Sequence, residues 1–94
     1  MKVSSVTKPP GCKLIRVDAE IVDSVLVSLS VRGDFFAIPE EGFDRMEARF
    51  AGTRVEDLAR RFDELAAEEG VEPYGITGEG LAFAVGAAID GTRI

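Results

Sequence analysis

The sequence predicts an α+β fold, in which a small antiparallel sheet packs in two layers against about three helices. Over residues 13–32, apolar residues alternate with polar ones, which is the pattern of strands buried on one face. From residue 39 onward, apolar residues recur at every third or fourth position, as they do on helices with one buried face. The chain has 94 residues, of which 46% are hydrophobic and 30% charged, so we expect one globular domain spanning 1–94.

Two alternating runs, joined by a tight turn at residues 22–24, predict a β-hairpin. The apolar members are Ile15, Val17, Ala19 and Ile21 in the first run, and Val25, Val27, Leu29 and Val31 in the second. Val3 and Val6 indicate a possible N-terminal edge strand over residues 2–7. Pro9 and Pro10 end that strand in a turn or linker, because proline has no amide hydrogen to donate.

Two helices are predicted after the hairpin. The first starts at Pro39 and stops before Gly52, while the second starts at a capping box formed by Thr53 and Glu56 and ends at Gly70. Their buried stripes are Phe43, Met46 and Phe50 in the first helix, and Val55, Leu58, Ala59, Phe62, Leu65 and Ala66 in the second. Acids and arginines four residues apart cover the opposite face of the second helix, which is typical of a solvated surface.

A loop and a third helix complete the predicted fold. Residues 71–80 contain one proline and three glycines, so we expect no regular structure there. The third helix runs from Leu81 to Gly91, and its small apolar residues allow close packing on the sheet or on another helix. Its stripe consists of Leu81, Ala84, Val85, Ala88 and Ile89.

The charge of the chain excludes some classes of partner. Seventeen acids against eleven bases give a net charge of -6, which disfavours binding to nucleic acid or to an anionic membrane. The segment before Asp18 carries four of the eleven bases and no acid, and such a basic segment on an acidic body is most simply solvated. There is neither a signal-peptide pattern nor an apolar run long enough to span a bilayer, so we expect a cytoplasmic protein.

The residues available for catalysis are few. Without histidine, neither a Ser-His nor a Cys-His nucleophile pair can form within the chain. The glycines of residues 75–80 lack the Gly-Lys-Ser/Thr ending of a phosphate-binding loop. Glu68 and Glu69 are neighbours on a helix, so we expect them to diverge rather than converge on a substrate. The chain is therefore not expected to be a complete enzyme, and no catalytic or metal-binding residue is assigned.

The chain is organised around Gly33-Asp34-Phe35-Phe36, where the strand pattern ends and the helical pattern begins. Glycine tolerates a positive φ or the close approach of another backbone, and the aspartate can hydrogen-bond nearby amides. Adjacent side chains on an extended backbone point in opposite directions. We therefore expect one phenylalanine to fill the core while the other faces a partner or lies under a helix.

These features resemble the C-terminal accessory domain of lipoate-protein ligases, which in many archaea and some bacteria is a separate small B subunit. The resemblance covers residues 8–89. It is carried by Lys8-Pro9-Pro10-Gly11-Cys12-Lys13-Leu14-Ile15-Arg16-Val17, by Gly33-Asp34-Phe35-Phe36 with Pro39-Glu40-Glu41, and by the Phe43, Met46, Phe50 helix.

The resemblance implies an accessory subunit without an active site of its own. Such a subunit docks on the large catalytic subunit, where lipoate and ATP with Mg²⁺ form lipoyl-adenylate. The complex then modifies a lysine of a lipoyl domain. Carried over by position, Lys13, Gly33, Asp34, Phe35 and Phe36 are expected near the interface with the catalytic subunit. Lys13 is either an ordinary strand-end lysine or a contact to the adenylate phosphates.

Two alternatives stay open at this point. Sulfur-transfer and iron–sulfur assembly proteins have a similar sheet-plus-helices architecture, and Cys12 could accept sulfur in such a protein. A stand-alone protein-binding domain is the other alternative. As the single cysteine, Cys12 cannot form a disulfide within the chain or a multi-thiolate metal site, and a small buried residue without chemistry is the favoured interpretation. It also stands where the ligase family commonly has glycine.

Overall fold

The computed structural model describes residues 1–91 and confirms the predicted α+β class. The strands are β1 (Lys2–Thr7), β2 (Ile15–Val22), β3 (Val25–Gly33), β4 (Phe36–Ile38) and β5 (Glu72–Tyr74). The helices are α1 (Glu40–Ala48), a single 3₁₀ turn (Val55–Asp57), α2 (Leu58–Glu69) and α3 (Gly78–Gly91). Within residues 1–91, no helix has both the length and the apolar character needed to cross a membrane.

The hairpin and the N-terminal edge strand form one antiparallel sheet in the order β1-β2-β3. Asp23 and Ser24 connect β2 to β3 with φ angles of 51° and 64°, as a two-residue hairpin turn of the primed kind requires. An irregularity in the register after Glu20 leaves Val27 without a partner on β2. Leu26 is consequently fully buried and Val27 is 49% exposed, so the prediction that Val27 faces the core was wrong.

The helices cover the inner face of this sheet. α3 contacts β1 and β2, and the Ser5 hydroxyl donates a hydrogen bond of 2.7 Å to the Ala84 carbonyl. The predicted stripe of α3 is confirmed, with Leu81, Ala84, Val85 and Ala88 buried and Ile89 half-buried. The largest fully buried side chains come from all layers and include Phe50, Phe62, Ile15, Leu26, Met46, Leu58, Leu65 and Leu81.

The first two helices differ from the prediction at their ends. α1 ends at Ala48, so Phe50 lies beyond the helix, but it stays fully buried and stacks on Phe62 at a centroid distance of 6.3 Å. The prediction of a capping box formed by Thr53 and Glu56 is wrong, because a 3₁₀ turn precedes α2 and neither helix start has a side-chain cap hydrogen bond. Instead, the buried Thr53 presents its carbonyl to the Leu26 amide at 2.8 Å. Tertiary pairing along β3 keeps this segment extended.

Residues 52–55 and one α1 side chain occupy the free edge of β3. The Gly52 amide donates to the Leu26 carbonyl at 2.7 Å, and Val25 forms an isolated antiparallel bridge with Arg54. Further along the strand, the Glu47 carboxylate accepts the Val31 amide at 2.7 Å. The amide and carbonyl of Leu26 and the amide of Val31 are therefore satisfied within the chain on this edge.

The prediction of an irregular loop over residues 71–80 was also wrong. Residues 72–74 form β5, which pairs antiparallel with β4, and α3 begins at Gly78 rather than at Leu81. The Thr77 hydroxyl accepts the Gly80 amide at 2.9 Å and so caps this helix. A side chain at Gly78 would collide with the carbonyl oxygen of Ala59, so that glycine serves close packing rather than chain reversal.

Ion pairs join α1 to α2 on the solvent side. Arg45 contacts Glu69 at 2.8 Å, and Arg49 contacts Glu68 at 2.7 Å and Glu69 at 3.1 Å. Contrary to the predicted divergence, the two glutamates therefore converge on one arginine. Hydrogen bonds from Arg45 and then Arg49 hold the pKa of Glu69 below its ordinary value of 4.5. The pairs predicted four residues apart on the second helix are replaced by pairs three residues apart, Asp57–Arg60 and Arg61–Glu64, and by the longer pair Arg61–Glu68.

Candidate functional site

The corner formed by residues 33–36 is built on a close approach between two backbones. Gly33 has a φ of +154°, and a Cβ atom at this position would collide with the carbonyl oxygen of Leu14. The Asp34 amide donates a hydrogen bond of 3.0 Å to that same carbonyl. The positive φ and the close approach of another backbone, both predicted for Gly33, are thus confirmed. The Asp34 carboxylate, by contrast, forms no hydrogen bond with any residue in 1–91, so the aspartate fixes the turn through its backbone alone.

The two phenylalanines of the corner point in opposite directions, as the sequence predicts. Phe35 is half-buried and packs against Phe43 of α1 with ring centroids 5.4 Å apart. Phe36 is 57% exposed and stacks on Tyr74 at 4.9 Å with an interplanar angle of 16°. The corner therefore anchors one ring in the core and presents the other to solvent.

Lys13 lies beside this corner because of a second close approach. Its amide donates to the Gly75 carbonyl at 2.8 Å. Gly75 has a φ of +84°, and a Cβ atom there would lie 2.7 Å from Cγ of Lys13 and 3.3 Å from Cα of Phe35. Gly75 thus brings Lys13 and Phe35 together, and the lysine itself is exposed two residues before β2.

The outer face of the β4–β5 pair forms a surface that the sequence did not reveal. Phe36 pairs with Tyr74 and Ile38 with Glu72, and directly opposed residues on antiparallel strands share a face. We call these four side chains the aromatic ribbon face. The Tyr74 hydroxyl donates to the Glu72 carboxylate at 2.9 Å, and this hydrogen bond raises the pKa of Tyr74 above its ordinary value of 10.0.

A groove of about 270 Å³ lies next to Phe36, between the end of β3, β4 and α1. Its apolar lining includes Phe35, Phe36 and Phe43, while Glu40 and Asp44 line it from one face of α1. The same surface therefore combines exposed aromatic rings with carboxylates. This combination suits contact with another protein better than it suits bond-making chemistry.

Cys12 does not belong to this surface. Its side chain is 6% exposed, its Sγ lies 3.6 Å from the Thr77 hydroxyl, and a Cβ atom at Gly80 would collide with the sulfur. The favoured interpretation of a small buried residue is confirmed. Burial also leaves the thiol poorly placed to accept sulfur from a partner.

The fold and this site define a small α+β protein with an exposed aromatic surface beside a glycine corner. Its fold matches one chain of a solved structure described as an archaeal lipoylation system, a bi-partite lipoate protein ligase and its E2 lipoyl domain from Thermoplasma acidophilum, with a TM-score of 0.70 and 23% sequence identity. The match covers 90% of this chain and 97% of the other, so the two chains are similar in length. The resemblance to a split lipoate-protein ligase is thus confirmed in the fold.

Comparisons at the level of sequence gave no match, either with protein-family models or with curated proteins. The structural similarity extends over nearly the whole chain.

Proposed function

We propose that this chain is the accessory subunit of a bipartite lipoate-protein ligase. It docks on the catalytic subunit as a heterodimer in the cytoplasm and is required for ATP-dependent activation of lipoate to lipoyl-adenylate. The catalytic subunit then transfers the lipoyl group to a lysine of a lipoyl domain. The observation that carries this proposal is the fold shared with a chain of similar length from the Thermoplasma lipoylation system.

The residues of the corner support the proposal. The resemblance to the ligase accessory domain depends on Gly33, Asp34, Phe35 and Phe36, and these residues lie beside Lys13. Phe36 is 57% exposed, whereas the adjacent Phe35 packs against Phe43. Exposed aromatic rings are typical of surfaces that become buried in a complex.

An accessory subunit of this kind contributes positioning rather than a reacting group. Lipoate, ATP and Mg²⁺ are bound by the complex and not by this chain alone. By holding a loop of the catalytic subunit closed, the accessory subunit would exclude water and keep the lipoate carboxylate in line with the α-phosphate of ATP. Within this proposal, Lys13 either contacts the adenylate phosphates or acts as an ordinary strand-end lysine.

The test is pyrophosphate release by the catalytic subunit of the same organism, supplied with lipoate and Mg-ATP, with and without this chain. We expect release to depend on the chain, and Cys12→Ser to support the same rate as wild type. If pyrophosphate release is unchanged by the chain and size exclusion shows no complex, the proposal is wrong. In that case a sulfur-acceptor activity of this chain that is lost entirely in Cys12→Ser, with the variant still folded, would favour sulfur transfer instead.

A further inference from the structure

We propose that the aromatic ribbon face docks a segment of the catalytic subunit that carries an arginine among apolar side chains. The guanidinium would lie over the ring pair of Phe36 and Tyr74 and donate to Glu72. The identity of the partner rests on the proposed function.

The first observation is a contiguous apolar surface on a ribbon of two strands. Phe36 is 57% exposed, Ile38 56% and Tyr74 44%, and all three project from the same side of the β4–β5 pair. The other side of the ribbon is covered, since Ala37 is 6% exposed. Neighbouring exposed aromatic and aliphatic side chains are a feature of interaction surfaces, whereas single exposed hydrophobic residues are ordinary.

The second observation is the charge around this surface. Glu40 and Asp44 line the groove next to Phe36, Glu72 is paired with Ile38 across the ribbon, and Asp34 precedes Phe36 by two residues. None of these four acids forms an ion pair with another residue in 1–91. Arg32, which lines the same groove, is already held by Glu47 at 2.9 Å.

The acids on the α1–α2 side are arranged differently. Glu64, Glu68 and Glu69 are all paired with arginines of the chain itself. Carboxylates without an ion-pair partner are thus available beside the aromatic rings, and Lys13 is a neighbouring cation. The surface is therefore complementary to a cationic side chain.

The third observation concerns which cation fits. The rings of Phe36 and Tyr74 are stacked at 4.9 Å, and the Tyr74 hydroxyl is fixed by Glu72 at 2.9 Å. Little side-chain freedom is therefore lost when a partner binds. A planar guanidinium can stack on such rings and donate to a carboxylate at the same time, which the compact ammonium of lysine does less well.

The experiment is calorimetric titration of the purified chain with the catalytic subunit. Phe36→Ala and Tyr74→Ala are each expected to weaken binding by about tenfold or more, because truncating a central aromatic anchor removes most of its contact. Phe83→Ala is the matched control, since Phe83 is 52% exposed but lies on α3, and its Kd should stay within about twofold of wild type. Circular dichroism verifies that each variant is folded.

The charge is tested separately. Glu72→Gln is expected to weaken binding about threefold or more and to flatten the salt dependence of Kd, while Glu79→Gln, at an exposed position on α3, changes neither. In the catalytic subunit, arginines are replaced by lysine one at a time. The replacement that is sought weakens binding to the wild-type chain but causes little further loss of affinity for the Phe36→Ala chain. Such non-additivity identifies the arginine that meets the rings.

The outcomes separate this inference from the proposed function. The docking surface is wrong, and the proposed function stands, if the complex stimulates pyrophosphate release but Phe36→Ala and Glu72→Gln affect binding no more than the α3 controls do. If wild type forms no complex, the proposed function and this partner both fall. Self-association of the chain that Phe36→Ala abolishes would assign the surface to a second copy and would likewise overturn the inference.

Discussion

Replacing Gly33 with alanine tests the corner on which the candidate site is built. The new Cβ would collide with the Leu14 carbonyl oxygen, on a backbone whose φ of +154° suits glycine. Holding a non-glycine residue in such a region costs about 1–3 kcal/mol. Displacing the Leu14 carbonyl also weakens the 3.0 Å hydrogen bond from Asp34, which contributes about 1 kcal/mol. We therefore expect the free energy of unfolding to fall by about 2–4 kcal/mol, a large part of the ordinary 5–15 kcal/mol.

The assay is urea denaturation followed by circular dichroism, with Gly86→Ala as the matched control. A Cβ atom at Gly86 meets no atom within 4 Å, and Gly86 lies inside α3. Alanine there should raise the free energy of unfolding by about 0.5–1 kcal/mol, because glycine is the poorer helix former. If Gly33→Ala loses less than about 1 kcal/mol, the backbone at residue 33 is not under the constraint described here.

Three further predictions concern titration and reactivity. Because Arg45 and Arg49 hold the folded-state pKa of Glu69 below 4.5, the stabilising contribution of this group is present above pH 4.5 and is lost as the pH falls through the lower folded value. Urea melts at neutral and acid pH should show a smaller acid loss for Glu69→Gln than for wild type. Tyr74 is the single tyrosine, so an ultraviolet titration of tyrosinate reports it alone; its midpoint should lie above 10.0 and fall in Glu72→Gln, and an unchanged midpoint would contradict the hydrogen bond. The thiol of Cys12, 6% exposed, should react slowly with Ellman's reagent until urea unfolds the chain, whereas rapid reaction of the native protein would refute its burial.

The three-stranded sheet could be predicted because its signals are local. Alternation along β2 and β3, and the two positive-φ residues Asp23 and Ser24 between them, are contained within a short stretch of sequence. Val27 shows the limit of this reasoning. The irregularity that turns Val27 outward depends on the pairing between the strands, and the alternating pattern looks the same with or without it.

Half of the candidate site could not be predicted from the sequence. The corner could be predicted because adjacent aromatic residues cannot both face inward from an extended strand. β4 and β5 have three residues each and pair across more than thirty intervening residues, so neither shows a periodic pattern. Ile38, Glu72 and Tyr74 therefore looked like helix-flanking and loop residues. The glycines that suggested a loop instead permit tight contacts, as Gly78 does against Ala59.

The contacts of Glu47 and of residues 52–55 with the edge of β3 affect how this protein behaves at high concentration. An open strand edge is a template on which other chains add to form fibres or exchanged dimers. Here a second molecule would have to displace both the Glu47 carboxylate from the Val31 amide and residues 52–55 from Leu26. Growth of intermolecular sheet from this side is therefore opposed by contacts that the fold already contains. Glu47→Ala removes one of these two contacts, so light scattering should show aggregation at a lower protein concentration than for wild type.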